Sequence, residues 1–105
     1  MIPLKYRKII EADPYFKKCA RQVGCSGRIT IEHALLYAGK QINEMFNYVP
    51  LCWYHHLGQG LDKQFNQWVA IKRMTKEDKA RYPRENWNQK LRYLNTLYEA
   101  YIPKF

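Results

Sequence analysis

At 105 residues the chain has room for one domain (1–105) around a modest core, and domains this small commonly rely on a staple such as a metal. Apolar residues make up 47% and are spread throughout, which excludes a disordered chain. No stretch approaches a membrane span, and the start MIPLKYRKIIEAD is charged too early for a secretory leader, so a cytoplasmic protein without a membrane partner is expected.

In chain order, residues 1–18 mix basic and aromatic side chains, and Pro14 argues against a helix through that point. CARQVGCSG (19–27) reads as a turn-rich knuckle, with Gly24 and Gly27 giving a tight loop its freedom. RITIEH (28–33) alternates polar and apolar residues and contains Ile29, Thr30 and Ile31, which predicts a strand. ALLYAGKQINEMF (34–46) fits either a buried loop or a short helix. NYVPLC (47–52) is a second extended piece in which Pro50 forbids a central ladder position. From Trp53 the spacing is helical until Gly58 and Gly60 interrupt it.

A helix is predicted over 61–74, with Leu61, Phe65, Trp68, Val69 and Lys72 on one face. TKED (75–78) has the form of a capping box and opens a turn or two before Pro83. A last helix over 84–101 carries a stripe of Trp87, Leu91, Leu94, Tyr98 and Tyr101 that reads as core. Two short strands and a helix, with C-terminal helices packed around them, make an α+β fold.

The net charge of +9 is unevenly placed. Residues 1–31 hold seven Lys/Arg against two acids and residues 57–105 hold ten against five, while 32–56 has Lys40 against Glu32 and Glu44. Basic flanks around a nearly neutral segment suit a polyanion such as nucleic acid, although a merely solvated surface has the same composition. The flanking candidates are Lys5, Arg7, Lys8, Lys17, Lys18, Arg28 and Lys40.

Three cysteines cannot all pair within one chain. Near histidines in a reducing compartment they suggest metal, though buried free thiols are the simpler alternative. Cys52 and His55 form a C-x-x-H pair that, with Cys19 and Cys25, supplies four ligands for tetrahedral Zn²⁺. Such a site would be structural, because four protein ligands leave no open position. His56 lies about 100° round the helix from His55 and must face something else. Glu32 and His33, which point to opposite sides of their strand, offer one group toward a hard cation and one toward water or substrate.

The run IEH…N…LCxxHH (residues 31–56) resembles the HNH endonucleases, and among them the small phage and prophage members. The likeness spans residues 19–58 and implies a ββα-metal, or His-Me finger, core with a zinc knuckle, to which the helical C-terminal part over 61–101, carrying no motif of the family, is added. It implies that His33 is the general base, that Glu32 and His56 hold a catalytic Mg²⁺ (or Mn²⁺ or Ni²⁺), and that Asn47 either supports the loop and base or joins the metal shell. Cys52 and His55 stand where the family has Cys-x-x-Cys, completing zinc with Cys19 and Cys25. Departures are the histidine at 55, the wide C-x5-C spacing, Glu in place of Asp at 32, and Gly60 where some relatives carry another ligand. The activity implied is hydrolysis of DNA phosphodiester bonds with little sequence preference, and a homodimer is one way to cut both strands. The competing readings are a zinc-stabilised nucleic-acid-binding module that does not cleave, and a protein-interaction domain using its tyrosine-rich C-terminal helices.

Overall fold

A computed structural model describes residues 2–100. Helix α1 covers Leu4–Ala12 and stops where Pro14 forces Asp13 into an extended conformation. The Asp13 carboxylate then accepts the Tyr15 N–H (2.9 Å) and caps a single 3-10 turn, Pro14–Lys17. The knuckle leads into β1 (Ile29–His33), followed by a tight hairpin of β2 (Leu36–Tyr37) and β3 (Lys40–Gln41). A 3-10 turn, Met45–Asn47, delivers the chain to β4 (Tyr48–Cys52), and one turn of helix, α2 (Trp53–His56), follows at once. Helices α3 (Lys63–Arg73), α4 (Lys76–Arg81) and α5 (Trp87–Tyr98) complete the described chain. The fold is thus α+β, with two short antiparallel sheets and five α-helices among the described residues.

Strands β1 and β4 pair antiparallel, with Thr30 opposite Leu51 and His33 opposite Tyr48. Every residue of β4 is buried. Pro50 sits mid-strand opposite Ile31, and its carbonyl accepts the Ala20 N–H (2.8 Å) from the other side. Its missing N–H removes no ladder bond, because Ile31 and Pro50 form a non-hydrogen-bonded pair and the Pro50 nitrogen faces away from β1. The segment 34–46, open between loop and helix in the sequence, is a hairpin whose turn residues Ala38 and Gly39 both have positive φ (52° and 79°). That is the type I′ geometry whose twist matches flanking strands.

The C-terminal helices depart from expectation in detail. Helix α3 is capped by Asp62, which accepts the Phe65 N–H (3.1 Å), and it buries Phe65, Asn66, Trp68, Ala70 and Ile71. The face expected from Leu61 to Lys72 is therefore rotated. Leu61 precedes the helix, and exposed Lys72 lays its ammonium 3.6 Å from the Trp68 ring centre. The capping box forms as Thr75 and Asp78 exchange hydrogen bonds (2.9 and 3.1 Å). Helix α5 starts at Trp87, capped by Asn86, and packs Trp87, Leu91, Leu94 and Tyr98 inward. Tyr101 of the expected stripe lies outside the described residues. One apolar cluster joins Cys19, Leu35, Val49 and Leu51 to Phe65, Ile71, Trp87 and Leu94, so the knuckle and the C-terminal helices share a core.

Candidate metal centre and the strand–helix corner

Cys19 follows the first 3-10 turn, Cys25 rides the glycine loop, Cys52 ends β4 and His55 lies in α2. Positive φ at Gln22 (60°), Gly24 (68°) and Gly27 (88°) folds the wide C-x5-C loop back on itself. A Cβ at Gly27 would stand 2.7 Å from the Trp53 Cβ, so the loop needs glycine there. The candidate ligand atoms of Cys19, Cys25, Cys52 and His55 all lie within 4.8 Å of one another. The three sulfurs approach His55 Nδ1 to 3.5, 3.9 and 3.2 Å. Zinc bonds of about 2.3 Å to sulfur and 2.0–2.1 Å to nitrogen at tetrahedral angles put S and N about 3.6 Å apart. These residues fit a structural Zn²⁺, and no disulfide competes for them among the described residues.

The electrostatics point the same way. Burial and the neighbouring Cys19 and Cys52 sulfurs push the Cys25 thiol up to about 12. Burial opposes ionisation of Cys52 as well, yet the backbone N–H groups of Ser26 and His55 bring it below the ordinary thiol value. Three sulfurs this close cannot all carry charge unless a cation sits among them, and a divalent ion reverses that balance. Burial and the Arg21 charge lower the His55 pKa, keeping the imidazole neutral as a ligand must be. Gly60, where a further ligand was a family option, instead makes room. A Cβ there would meet the Tyr54 ring at 2.4 Å and His55 Cδ2 at 2.8 Å.

His56, one position on, turns toward β1. Its Nε2 is 3.7 Å from Glu32 Oε1, with the two side chains 19% and 20% exposed. Its Nδ1 is 2.6 Å from the Thr30 hydroxyl, which also contacts the Leu51 carbonyl at 2.9 Å. Thr30 carries no role in the sequence reading. The signal was present, since residues i and i+2 of a strand share a face and Thr30 precedes Glu32 by two.

His33 points to the other side of β1 and packs edge-on against Tyr48, ring centres 5.2 Å apart. Burial lowers its pKa, partly offset by Asn43 and Glu32, and its Nε2 is buried with no hydrogen-bond partner among the described residues. Asn47 is fully buried, and its amide serves the hairpin. Its Oδ1 accepts the Leu35 N–H (2.7 Å), and its Nδ2 donates to the carbonyls of Leu35 (3.2 Å) and Ile42 (2.9 Å). Both amide protons and the oxygen of Asn47 bond the backbone of the hairpin, which is what the loop-supporting option for this residue requires.

Lys5, Arg7, Lys8, Lys17, Lys18, Arg28 and Lys40 are all exposed. None of the seven takes part in an ion pair among the described residues, whose cationic partners are Arg21 and Arg81. No helix of the described residues is long and apolar enough to cross a membrane. Comparison with protein-family models, with curated proteins and with solved structures returns no match.

Proposed function

We propose that the chain is a metal-dependent endonuclease of the HNH type, hydrolysing DNA phosphodiester bonds from a zinc-stapled ββα-metal core. One observation carries this reading: Glu32 Oε1 and His56 Nε2 face each other at 3.7 Å across the corner between β1 and α2. Two ligands of one ion at about 2.1 Å stand roughly 3.0 Å apart when adjacent in an octahedron and about 4.2 Å when opposite. The spacing falls between those limits, and the neighbouring Cys3His group would hold the corner in place. The β1–β4–α2 order is that of a ββα unit.

In this reading Glu32 and His56 hold Mg²⁺, or Mn²⁺ or Ni²⁺ in its place. When bound, such an ion supplies Lewis-acid stabilisation of the phosphate and the departing oxygen. His33 takes the proton of the attacking water with an imidazole that burial keeps neutral. The exposed lysines and arginines grip phosphates without reading sequence, so binding weakens as salt rises. The placement of His33 against Tyr48, on the face of β1 away from Glu32, favours a second reading: a zinc-stabilised nucleic-acid-binding module that does not cut.

Plasmid nicking by the zinc-loaded protein with Mg²⁺, Mn²⁺ or Ni²⁺, wild type against His33→Ala, separates the two. The nuclease reading expects nicking that His33→Ala abolishes while DNA binding and zinc content persist. A wild type that binds DNA yet is inert with every ion leaves the binding module.

A further inference from the structure

We propose that Thr30 is a positioning residue that fixes the tautomer of His56 and thereby turns its Nε2 lone pair toward Glu32. The argument is a count of protons. The Thr30 hydroxyl has one hydrogen and two short polar contacts, the Leu51 carbonyl at 2.9 Å and His56 Nδ1 at 2.6 Å. A carbonyl oxygen only accepts, so both contacts are hydrogen bonds only when the hydroxyl proton goes to Leu51 and His56 Nδ1–H donates to Thr30 Oγ1. In a neutral imidazole the other nitrogen then carries the lone pair. That nitrogen, Nε2, looks at a carboxylate oxygen 3.7 Å away, beyond hydrogen-bond reach. Two electron-rich atoms facing each other with no proton between them are an arrangement that a cation satisfies.

The relay is built into the fold rather than borne by mobile side chains. Thr30 is directly opposite Leu51 in the β1–β4 ladder, and Leu51 itself is fully buried. Leu51 also immediately precedes Cys52, a member of the Cys3His group. The hydroxyl is therefore anchored on the strand that the metal centre pins, and the imidazole takes its orientation from that anchor. Partners of this kind on metal-binding histidines are typically worth about 10–100-fold in metal affinity. The inference rests on the reading of Glu32 and His56 as a divalent-cation site.

Two measurements on the zinc-loaded full chain test it. Mn²⁺ titration followed by electron paramagnetic resonance should show Thr30→Val binding Mn²⁺ about 10–100-fold more weakly than wild type. Zinc content should be unchanged, and Thr30→Ser, which restores the hydroxyl, should recover most of the affinity. Long-range ¹H–¹⁵N spectra at alkaline pH should show His56 as the Nδ1–H tautomer in wild type and Thr30→Ser, and as a mixture in Thr30→Val. Equal Mn²⁺ affinity of Thr30→Val and wild type, with Glu32→Ala weakened, overturns the role of Thr30 and leaves the cation site standing. Wild type that takes up no Mn²⁺ removes the cation site itself, and the proposal with it. A wild-type Nε2–H tautomer overturns the proton count whatever the variants do, including when Thr30→Val fails to fold.

Discussion

Replacing Asn47 by Ala tests what that residue does, because the structure commits its amide to the backbone. The side chain satisfies the Leu35 N–H and the carbonyls of Leu35 and Ile42, on residues that are 1% and 3% exposed, from a position that is itself inaccessible. Truncation orphans the Leu35 N–H and the Ile42 carbonyl, while the Leu35 carbonyl keeps the Ile42 N–H (3.4 Å). At about 1–3 kcal/mol for each unsatisfied buried group the sum is roughly 2–6 kcal/mol, and the lower end applies where a water enters the space left by the amide. Against a total stability of about 5–15 kcal/mol this is a large fraction. With a urea slope of about 1–2 kcal/mol per molar for a small domain, the midpoint of the zinc-loaded protein should fall by about 1 M or more. Asn47→Asp should fare no better, since it keeps the acceptor for Leu35 N–H but sets a carboxylate against two carbonyl oxygens. Urea denaturation monitored by tryptophan fluorescence reads both. A stable Asn47→Ala that has lost nicking, or a folded and active Asn47→Asp, would place the side chain at the ion and refute the loop-holding argument.

Three further outcomes follow from the same geometry. Gly60→Ala should lower zinc affinity in competition with a chromophoric chelator and destabilise the fold by about 1–3 kcal/mol, because its Cβ displaces the His55 ring from 2.8 Å; unchanged zinc affinity would show that the ring moves freely. Stripping the metal with a strong chelator, or Cys52→Ala, should abolish the near-ultraviolet circular dichroism, because structural zinc contributes about 10–16 kcal/mol, which rivals the whole stability; a retained spectrum would remove the structural role. Burial lowers the His33 pKa below the ordinary 6.5, so the folded state binds fewer protons than the unfolded chain between that lowered value and 6.5. Stability should therefore fall as pH drops through that window, and the acid limb of nicking should have its midpoint below 6.5; a midpoint above it would mean that another group is the base.

The strands that frame the corner were legible because period-two alternation and β-branched residues mark β1, and a short apolar run bounded by Asn47 and the helical spacing marks β4. The Cys3His grouping was legible from ligand types and from glycines that allow a wide loop. Other features were hidden for physical reasons. The β2–β3 turn uses Ala38 and Gly39 where Asn-Gly would have announced a type I′ turn, so a residue with a Cβ occupies a positive-φ position that sequence rules assign elsewhere. Helix α1 has only Ile10 buried, so its apolar pattern is too thin to separate from the basic residues around it. On α3 a buried Asn66 and a Lys72 stretched over Trp68 invert the usual polarity of inside and outside, which rotated the expected face. The role of Asn47 was left open because one residue type serves a loop and a metal equally well; only its hydrogen-bond partners decide.

In the proposed reading the adjacent histidines let one turn of helix serve two tasks. Helix α2 has four residues, too short to be stable by its own hydrogen bonds. Its direction is set from outside: the Trp53 and Tyr54 N–H groups bond to the Arg28 and Ser26 carbonyls (2.9 and 3.1 Å), and His55 is drawn into the three sulfurs. With His55 pinned, the helical rotation of about 100° per residue leaves His56 no choice of side. It must face β1, where the Thr30–Leu51 pairing puts Thr30 within 2.6 Å of it and Glu32 two residues further along the same face. The Cys3His group and the strand register therefore control the Glu32–His56 spacing jointly, and a change at either should be felt at the other. Replacing His55 by Cys, which keeps four ligands but shortens the reach to the ion, should retain zinc yet shift the His56 side-chain resonances. Resonances that stay in place would mean that α2 is held by its backbone bonds alone.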